Sequence, residues 1–252
     1  MSLLKTIEAG RNGRPPKIIV YGEGGVGKST FASKAPSPIF IQTEDGLSAI
    51  DCHKFPVAKS YQEVLNELIA LRDEEHDFKT VVVDSLEFLE LLMASEVCRE
   101  NCAPTIESVP FGKGPGMVLK KWEPFRTLLD ELVYQRNMIV LLIAHPVIQK
   151  VPDPTQAGYT RWDIGIHHLA QDVMFNWADD VFFATRKMRI EKEDTGFNRI
   201  RNIAKAVGDD RILVTSDKIS IHAKNRHNLP AEIPLDWSAF IAAINQQESS
   251  HE

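Results

Sequence analysis

Gly22-Glu23-Gly24-Gly25-Val26-Gly27-Lys28-Ser29-Thr30 stands between an apolar run, Lys17 to Tyr21 (KIIVY), and a short helical stretch, Ser29 to Lys34, that stops near Pro36. The spacing G-x-x-x-x-G-K-S is that of a phosphate-binding loop, and a strand before it with a helix start after it is the context such a loop requires. Gly22, Gly24, Gly25 and Gly27 let the backbone curl so that its N–H groups face an anion at a helix N-terminus. Lys28 supplies a point charge to β- and γ-phosphates, and the Ser29 hydroxyl is the expected magnesium ligand. Gly22 through Thr30 are therefore read as the seat of ATP or ADP with Mg2+.

Outward from this loop, further apolar runs predict buried strands: Pro38 to Thr43 (PIFIQT), Thr80 to Val83 closed by Asp84, and Met138 to Ala144 (MIVLLIA). A short strand is also expected over Phe55 to Ala58. Runs that are apolar throughout suit parallel strands covered on both faces. Helical spacing places helices at Tyr61 to Arg72, Leu86 to Glu100 and Lys120 to Gln135, the last with Pro124 near its start. Strand and helix alternate from residue 17 to 145, which predicts an α/β fold with a mainly parallel central sheet flanked by helices. Beyond His145 the expectation is a polar loop, Pro146 to Gly165, then a helix His167 to Trp177 and a strand Asp180 to Thr185. Residues 186 to 224 read as short strands, a β-rich extension of the sheet, with turns at Asp194-Thr195-Gly196 and Gly208-Asp209-Asp210 and a strand Ile219 to Ala223. A last helix, Trp237 to Asn245, precedes a frayed tail. With no repeat and no linker composition, one domain is expected over 1–252, its core about residues 15–244.

The chain has 252 residues, 43% hydrophobic and 25% charged, with net charge −6. That acidic balance argues against bulk electrostatic coating of DNA and leaves room only for a local basic surface. Cys52, Cys98 and Cys102 are too few for a disulfide framework, and Cys98 and Cys102, read as four apart on a helix, are expected to be buried reduced thiols. No signal-peptide core and no apolar run of about 18 residues are present, so a cytoplasmic protein without a membrane span is expected.

Asp84 ends a buried strand expected to neighbour the strand before the phosphate loop, where a carboxylate can hold magnesium through a water. Ser85 follows it, so the water-polarising glutamate found beside this aspartate in many ATPases is absent. Glu44, just past the second strand, is the natural substitute, with Asp45 as competitor.

A second strand followed by T-E-D-G, a strand ending in Asp84-Ser85 and another ending in Ala144-His145 together resemble the RecA/RadA recombinase core. The resemblance implies Glu44 as general base, Asp84 as the magnesium aspartate and His145 as sensor of the γ-phosphate; histidine there looks like the RadA/Sms branch. Lys224-Asn225-Arg226 resembles the K-N-R motif of the RadA group and the Lys/Arg fingers of ring helicases, which implies that Lys224 and Arg226 reach a nucleotide held by a neighbouring subunit. With F-G-K-G at Phe111 to Gly114 and W-A-D-D near Trp177, the whole layout is similar to the phage-encoded RecA-like ATPases, some of which promote single-strand annealing. It implies a homo-oligomer, ring or filament, in a bacterial host, with single-stranded DNA as partner and a phage single-strand-binding or replication protein as a further one.

Binding of single-stranded DNA needs cations and aromatic platforms. The loop Lys150 to Trp162, with Tyr159, Arg161 and Trp162, and the stretch Arg186, Lys187, Arg189, Arg199, Arg201 and Lys205 offer both. The alternatives are a motor or loader ATPase gripping a protein such as a helicase, a nucleotide-gated binding module, and a small-molecule kinase, the last weakened by the lack of an arginine-rich lid.

Overall fold

The computed structural model describes residues 13–152, 157–194 and 200–249. Its strands are β1 (Lys17–Gly22), β2 (Pro38–Gln42), β3 (His53–Lys54), β4 (Thr80–Asp84), β5 (Ile139–Ala144), β6 (Pro146–Val151), β7 (Tyr159–Ile164), β8 (Asp180–Asp194), β9 (Ile200–Val214), β10 (Lys224–Asn225) and β11 (Glu232–Pro234). Its helices are α1 (Lys28–Ala32), α2 (Tyr61–Asp73), α3 (Leu86–Glu100), α4 (Gly114–Arg136), α5 (His168–Trp177) and α6 (Trp237–Ser249).

The main sheet has the order β11-β9-β8-β1-β5-β4-β2-β3, with β10 beside β8. Within it β8, β1, β5, β4, β2 and β3 run parallel, while β9, β10 and β11 are antiparallel to their neighbours. The expected α/β class, with a mainly parallel sheet and a C-terminal β extension, is the class observed. Alternate residues of each central strand feed two cores. Ile19, Tyr21, Val81, Val83, Val140 and Leu142 pack under α2 to α5 with Trp122 and Phe125. Ile18, Val20, Val82, Leu141 and Ile143 face α1 and α6, where Phe31 meets Trp237 and Phe240. Burial on both faces is why these runs carry no polar alternation.

Register aligns the strand ends that matter. Tyr21 pairs with Ala144, Gly22 with Ala184, Asp84 with Ile143 and Gln42 with Asp84, so the segments leaving β1, β2, β4 and β5 emerge along one edge. Asp84 was expected on a strand adjoining β1. Instead β5 lies between β4 and β1, and the aspartate is two strands away.

Several expectations are corrected. Pro146 to Gly165 is not a polar loop: β6 and β7 pair antiparallel from Pro146↔Ile164 to Val151↔Tyr159, because Asp163 and Ile164 are buried and Trp162 stacks on Phe183 at 5.9 Å. α4 starts at Gly114 rather than Lys120, with Pro115 in its first turn, where its missing N–H costs nothing, so Pro124 lies well inside the helix. The third strand is His53–Lys54, although Phe55 and Ala58 still donate backbone hydrogen bonds to Phe40 and Gln42. Residues 186–194 and 200–214 belong to two long strands, β8 and β9, which pair antiparallel. Gly208-Asp209-Asp210 is no turn but an irregularity in β9, with Gly208 at φ +59°, where the register shifts between Arg186 and Met188. Thr195 and Gly196 of the other expected turn, and Arg199, lie outside the described residues. Ile219 to Ala223 is a turn closed by a Lys218–Ile221 bridge, not a strand. Cys102 lies past the end of α3 and is exposed, and Cys98 is half-buried. Among the described residues, no helix is long and apolar enough to cross a membrane.

Candidate functional site

The loop after β1 is fixed by close approach at both ends. A Cβ on Gly22 would stand 2.1 Å from the Ala184 carbonyl oxygen, so only glycine lets β1 and β8 pair there. Gly27 has φ +108°, in the left-handed region that side chains avoid, and a Cβ would meet Arg211 Nη1 at 3.0 Å. From Gly27 the chain enters α1, whose first turn carries Lys28 and Ser29.

Lys28 is buried, and its ammonium donates to the carbonyls of Gly22 at 2.6 Å and Glu23 at 3.0 Å. Burial lowers its pKa, while Asp84, Glu87, Glu44 and Glu23 pull the other way. The Ser29 hydroxyl donates to Asp84 Oδ2 at 2.6 Å. Burial raises the pKa of Asp84, the Ser29 hydrogen bond lowers it, and the negative charge of Glu44 raises it further. A hydroxyl and a carboxylate side by side offer oxygen ligands of the kind magnesium prefers, and the residues present fit that ion.

Glu44 is held from behind. Thr43 N donates to the Asp84 carbonyl at 2.9 Å, Ser85 N to Thr43 Oγ1 at 2.7 Å and Thr43 Oγ1 to the Ser85 carbonyl at 2.7 Å. These bonds tie the end of β2 to that of β4, and the Ser85 hydroxyl then donates to Glu44 Oε1 at 2.9 Å. Asp45 is exposed.

His145 follows β5 and meets a residue the sequence did not single out. Glu87, in the first turn of α3, accepts from His145 N at 3.2 Å through both oxygens, and from Nδ1 of the ring. Burial alone would raise the Glu87 carboxyl, but hydrogen bonds from His145, its own backbone N–H and Ser85, with the charge of His145, together hold it below the usual range. In return Glu87 lifts His145 above the ordinary imidazole value; burial and Lys28 oppose this, and Glu44 supports it. Glu44, Glu87 and His145 each present a ligand atom within 4.8 Å of the others. The one signal for Glu87 was its place in the first turn of the helix that follows Asp84.

Lys28, Ser29, Asp84, Glu44 and His145 thus share one end of the sheet, while Lys224 and Arg226 do not. β10 pairs with Asp180 and Val181, at the start of β8. There Lys224 donates to the carbonyls of Phe175, Asn176 and Ala178 at 3.0, 2.9 and 2.6 Å, and Arg226 Nη1 pairs with Asp179 at 3.0 Å. Asp179 also takes both Arg14 nitrogens, at 2.8 and 2.7 Å.

In the β6–β7 hairpin Arg161 pairs with Asp163 at 3.1 Å and Trp162 is spent on Phe183. Ile148 remains 61% exposed, and on the connection before α4 Phe111 is 92% exposed.

The family described as "AAA domain" matches residues 14–227. No curated protein matches the chain. Among solved structures, the crystal structure of the RadB recombinase is similar at 14% identity, over 90% of this chain and 91% of that chain, with a TM-score of 0.48.

Proposed function

Because the chain belongs to the AAA-domain family of P-loop ATPases, we propose that it is a magnesium-dependent ATPase whose turnover is coupled to single-stranded DNA in phage recombination, annealing or repair. The observation that carries the ATPase reading is the convergence of Lys28, Ser29, Asp84 and Glu44 on one sheet edge, with Ser29 and Asp84 2.6 Å apart. Ser29 and Asp84 would hold a magnesium ion, which would supply positive charge against the β- and γ-phosphates. Lys28 binds and orients the phosphates, Glu44 takes the proton of the attacking water, and His145 donates to the γ-phosphate through the ring nitrogen that Glu87 leaves available. Gly22 through Thr30 cradle ATP or ADP, and the chain acts as one ATPase unit, working as a ring or filament in the cytoplasm of a bacterial host.

Coupling to DNA is supported by the layout shared with phage RecA-like ATPases and by connectivity, since β6 continues directly from His145. A grip on the hairpin and a change at the γ-phosphate then move one backbone segment. A protein partner, such as a helicase or a phage single-strand-binding or replication protein, is the second reading. The exposed Ile148 and Phe111 favour it, since exposed apolar side chains suit protein better than phosphate backbone.

Turnover with and without single-stranded DNA decides between them. The first reading expects stimulation of about tenfold or more and none in Lys28→Ala, which loses phosphate contact in a folded chain. Equal turnover with and without DNA sinks the DNA reading, and full turnover in folded Lys28→Ala sinks the ATPase site.

A further inference from the structure

The phosphate loop has two flanks, and only one carries the groups described so far. Asp84, Glu44, Glu87 and His145 lie toward β5, β4 and β2. On the other flank, toward β9 and β11, a pocket of about 140 Å³ opens between the start of α1 and the β11–α6 corner, with Gly27, Thr30, Lys34, Arg211 and Leu235 in its lining. Arg211, near the end of β9, donates from Nη1 to the Val26 carbonyl at 3.2 Å, the one hydrogen bond of its guanidinium among the described residues. The Leu235 N–H donates to the Arg211 carbonyl at 2.9 Å, which joins β11 to β9 and fixes the two side chains beside each other. Both reach the Gly27 α-carbon: a Cβ there would meet Arg211 Nη1 at 3.0 Å and Leu235 Cδ2 at 3.6 Å. The pocket is therefore continuous with the phosphate loop and has a planar cation and an aliphatic side chain at its inner edge.

A nucleoside triphosphate is a linear molecule with distinct ends. With its terminal phosphate against Lys28, Asp84 and Glu44, and its phosphate chain along the loop, its nucleoside emerges on the opposite flank. We propose that the pocket between α1 and the β11–α6 corner receives the nucleoside, with the base lying flat on the Arg211 guanidinium, Leu235 at its edge, and Thr30 and Lys34 on the ribose side. The inference rests on the nucleotide reading above and adds which residues hold the base. A guanidinium suits this role because it is planar, weakly hydrated and stacks on aromatic faces, which an ammonium does not.

The test separates the base from the phosphates. Calorimetric titration of the full chain with Mg-ATP, Mg-ADP and inorganic tripolyphosphate is repeated for Arg211→Ala and Arg211→Lys; Arg211 is exposed, so both variants keep the fold, which a thermal melt checks. Arg211→Ala weakens ATP and ADP about tenfold and tripolyphosphate by no more than about twofold. Arg211→Lys, which keeps the charge and loses the plane, fails to restore ATP affinity. An equal loss for ATP and tripolyphosphate means that Arg211 works through its bond to the loop, and overturns the proposal; so does an ATP affinity that neither variant changes. A wild-type chain that binds tripolyphosphate as tightly as ATP overturns the nucleoside pocket alone. One that binds neither overturns the nucleotide reading itself.

Discussion

Glu44 and Asp45 are adjacent carboxylates of nearly equal chemistry, and their surroundings divide the work. Glu44 accepts the Ser85 hydroxyl at 2.9 Å, on a backbone locked to the end of β4, whereas Asp45 faces solvent. A base must be held within reach of its proton, so Glu44→Gln should bind ATP normally and hydrolyse it about 10²-fold more slowly, with Asp45→Asn close to wild type. Single-turnover assays check this, and the reverse pattern would show the wrong carboxylate was chosen. Glu87 gives a prediction in pH. It holds His145 above the ordinary imidazole value of 6.5, with Lys28 opposing and Glu44 supporting. A group raised on folding contributes stability in full below its unfolded value and loses it as pH rises through its folded one. Imidazolium therefore persists above pH 6.5 in the folded protein. Glu87→Gln should move both the His145 titration, followed by NMR, and the alkaline limb of kcat to lower pH. A His145 titration unmoved by Glu87→Gln would remove Glu87 from the site.

At the scale of elements, Lys224 is a helix terminator before it is anything else. Its ammonium collects three carbonyls at the end of α5, where a cation satisfies acceptors that the helix leaves open. Lys224→Ala should cost about 1.5–3 kcal/mol, read as a lower urea midpoint at unchanged slope; an unchanged midpoint would show that water replaces the ammonium at no cost. The same neighbourhood shows what a single sequence reveals and what it hides. KIIVY, PIFIQ and TVVVD were legible because strands buried on both faces leave one unbroken apolar run. The β6–β7 hairpin was not: PVIQKV and YTRWDI are half-buried, and Pro152 and Gly158 between them look like loop punctuation. Ile219 to Ala223 misled in the opposite sense, since its apolar residues serve a turn. Gly208 has the positive φ of a turn residue, but spends it on a bulge inside a strand. Within the site, Lys28 and Ser29 were legible from a motif with fixed spacing. Glu87 was hidden because a lone carboxylate in a first helical turn reads as ordinary dipole complement.

The arrangement of the whole molecule was the least legible, because equivalent apolar runs carry no label for their place in the sheet. β5 enters between β1 and β4, and Ser29 still reaches Asp84 because both strands end on the same edge. That geometry also bears on Lys224 and Arg226. They lie where β8 begins, beside the start of β1, whereas the phosphate loop follows the end of β1. Six residues of strand separate the two edges by about 20 Å, beyond the reach of an arginine side chain, so neither cation meets the phosphates of its own subunit. Any role in hydrolysis requires a neighbour. Arg226 is the better probe, since Lys224 is committed to α5, whereas Arg226 is 57% exposed and its ion pair among the described residues is to Asp179. If it acts across an interface, Arg226→Ala spares ATP binding and lowers turnover about 10³-fold, and wild-type activity per subunit rises with protein concentration. Mixing then separates a finger from a fold defect. A Glu44→Gln subunit keeps its finger and an Arg226→Ala subunit keeps its base. Each is nearly inactive alone, but assemblies formed from both contain interfaces that pair an intact base with an intact finger. Partial recovery of turnover on mixing is the expected outcome. A chain that stays monomeric with ATP and single-stranded DNA, and turns over at full rate, would reduce Lys224-Asn225-Arg226 to the bracket that ties α5 and Asp179 to the foot of the sheet.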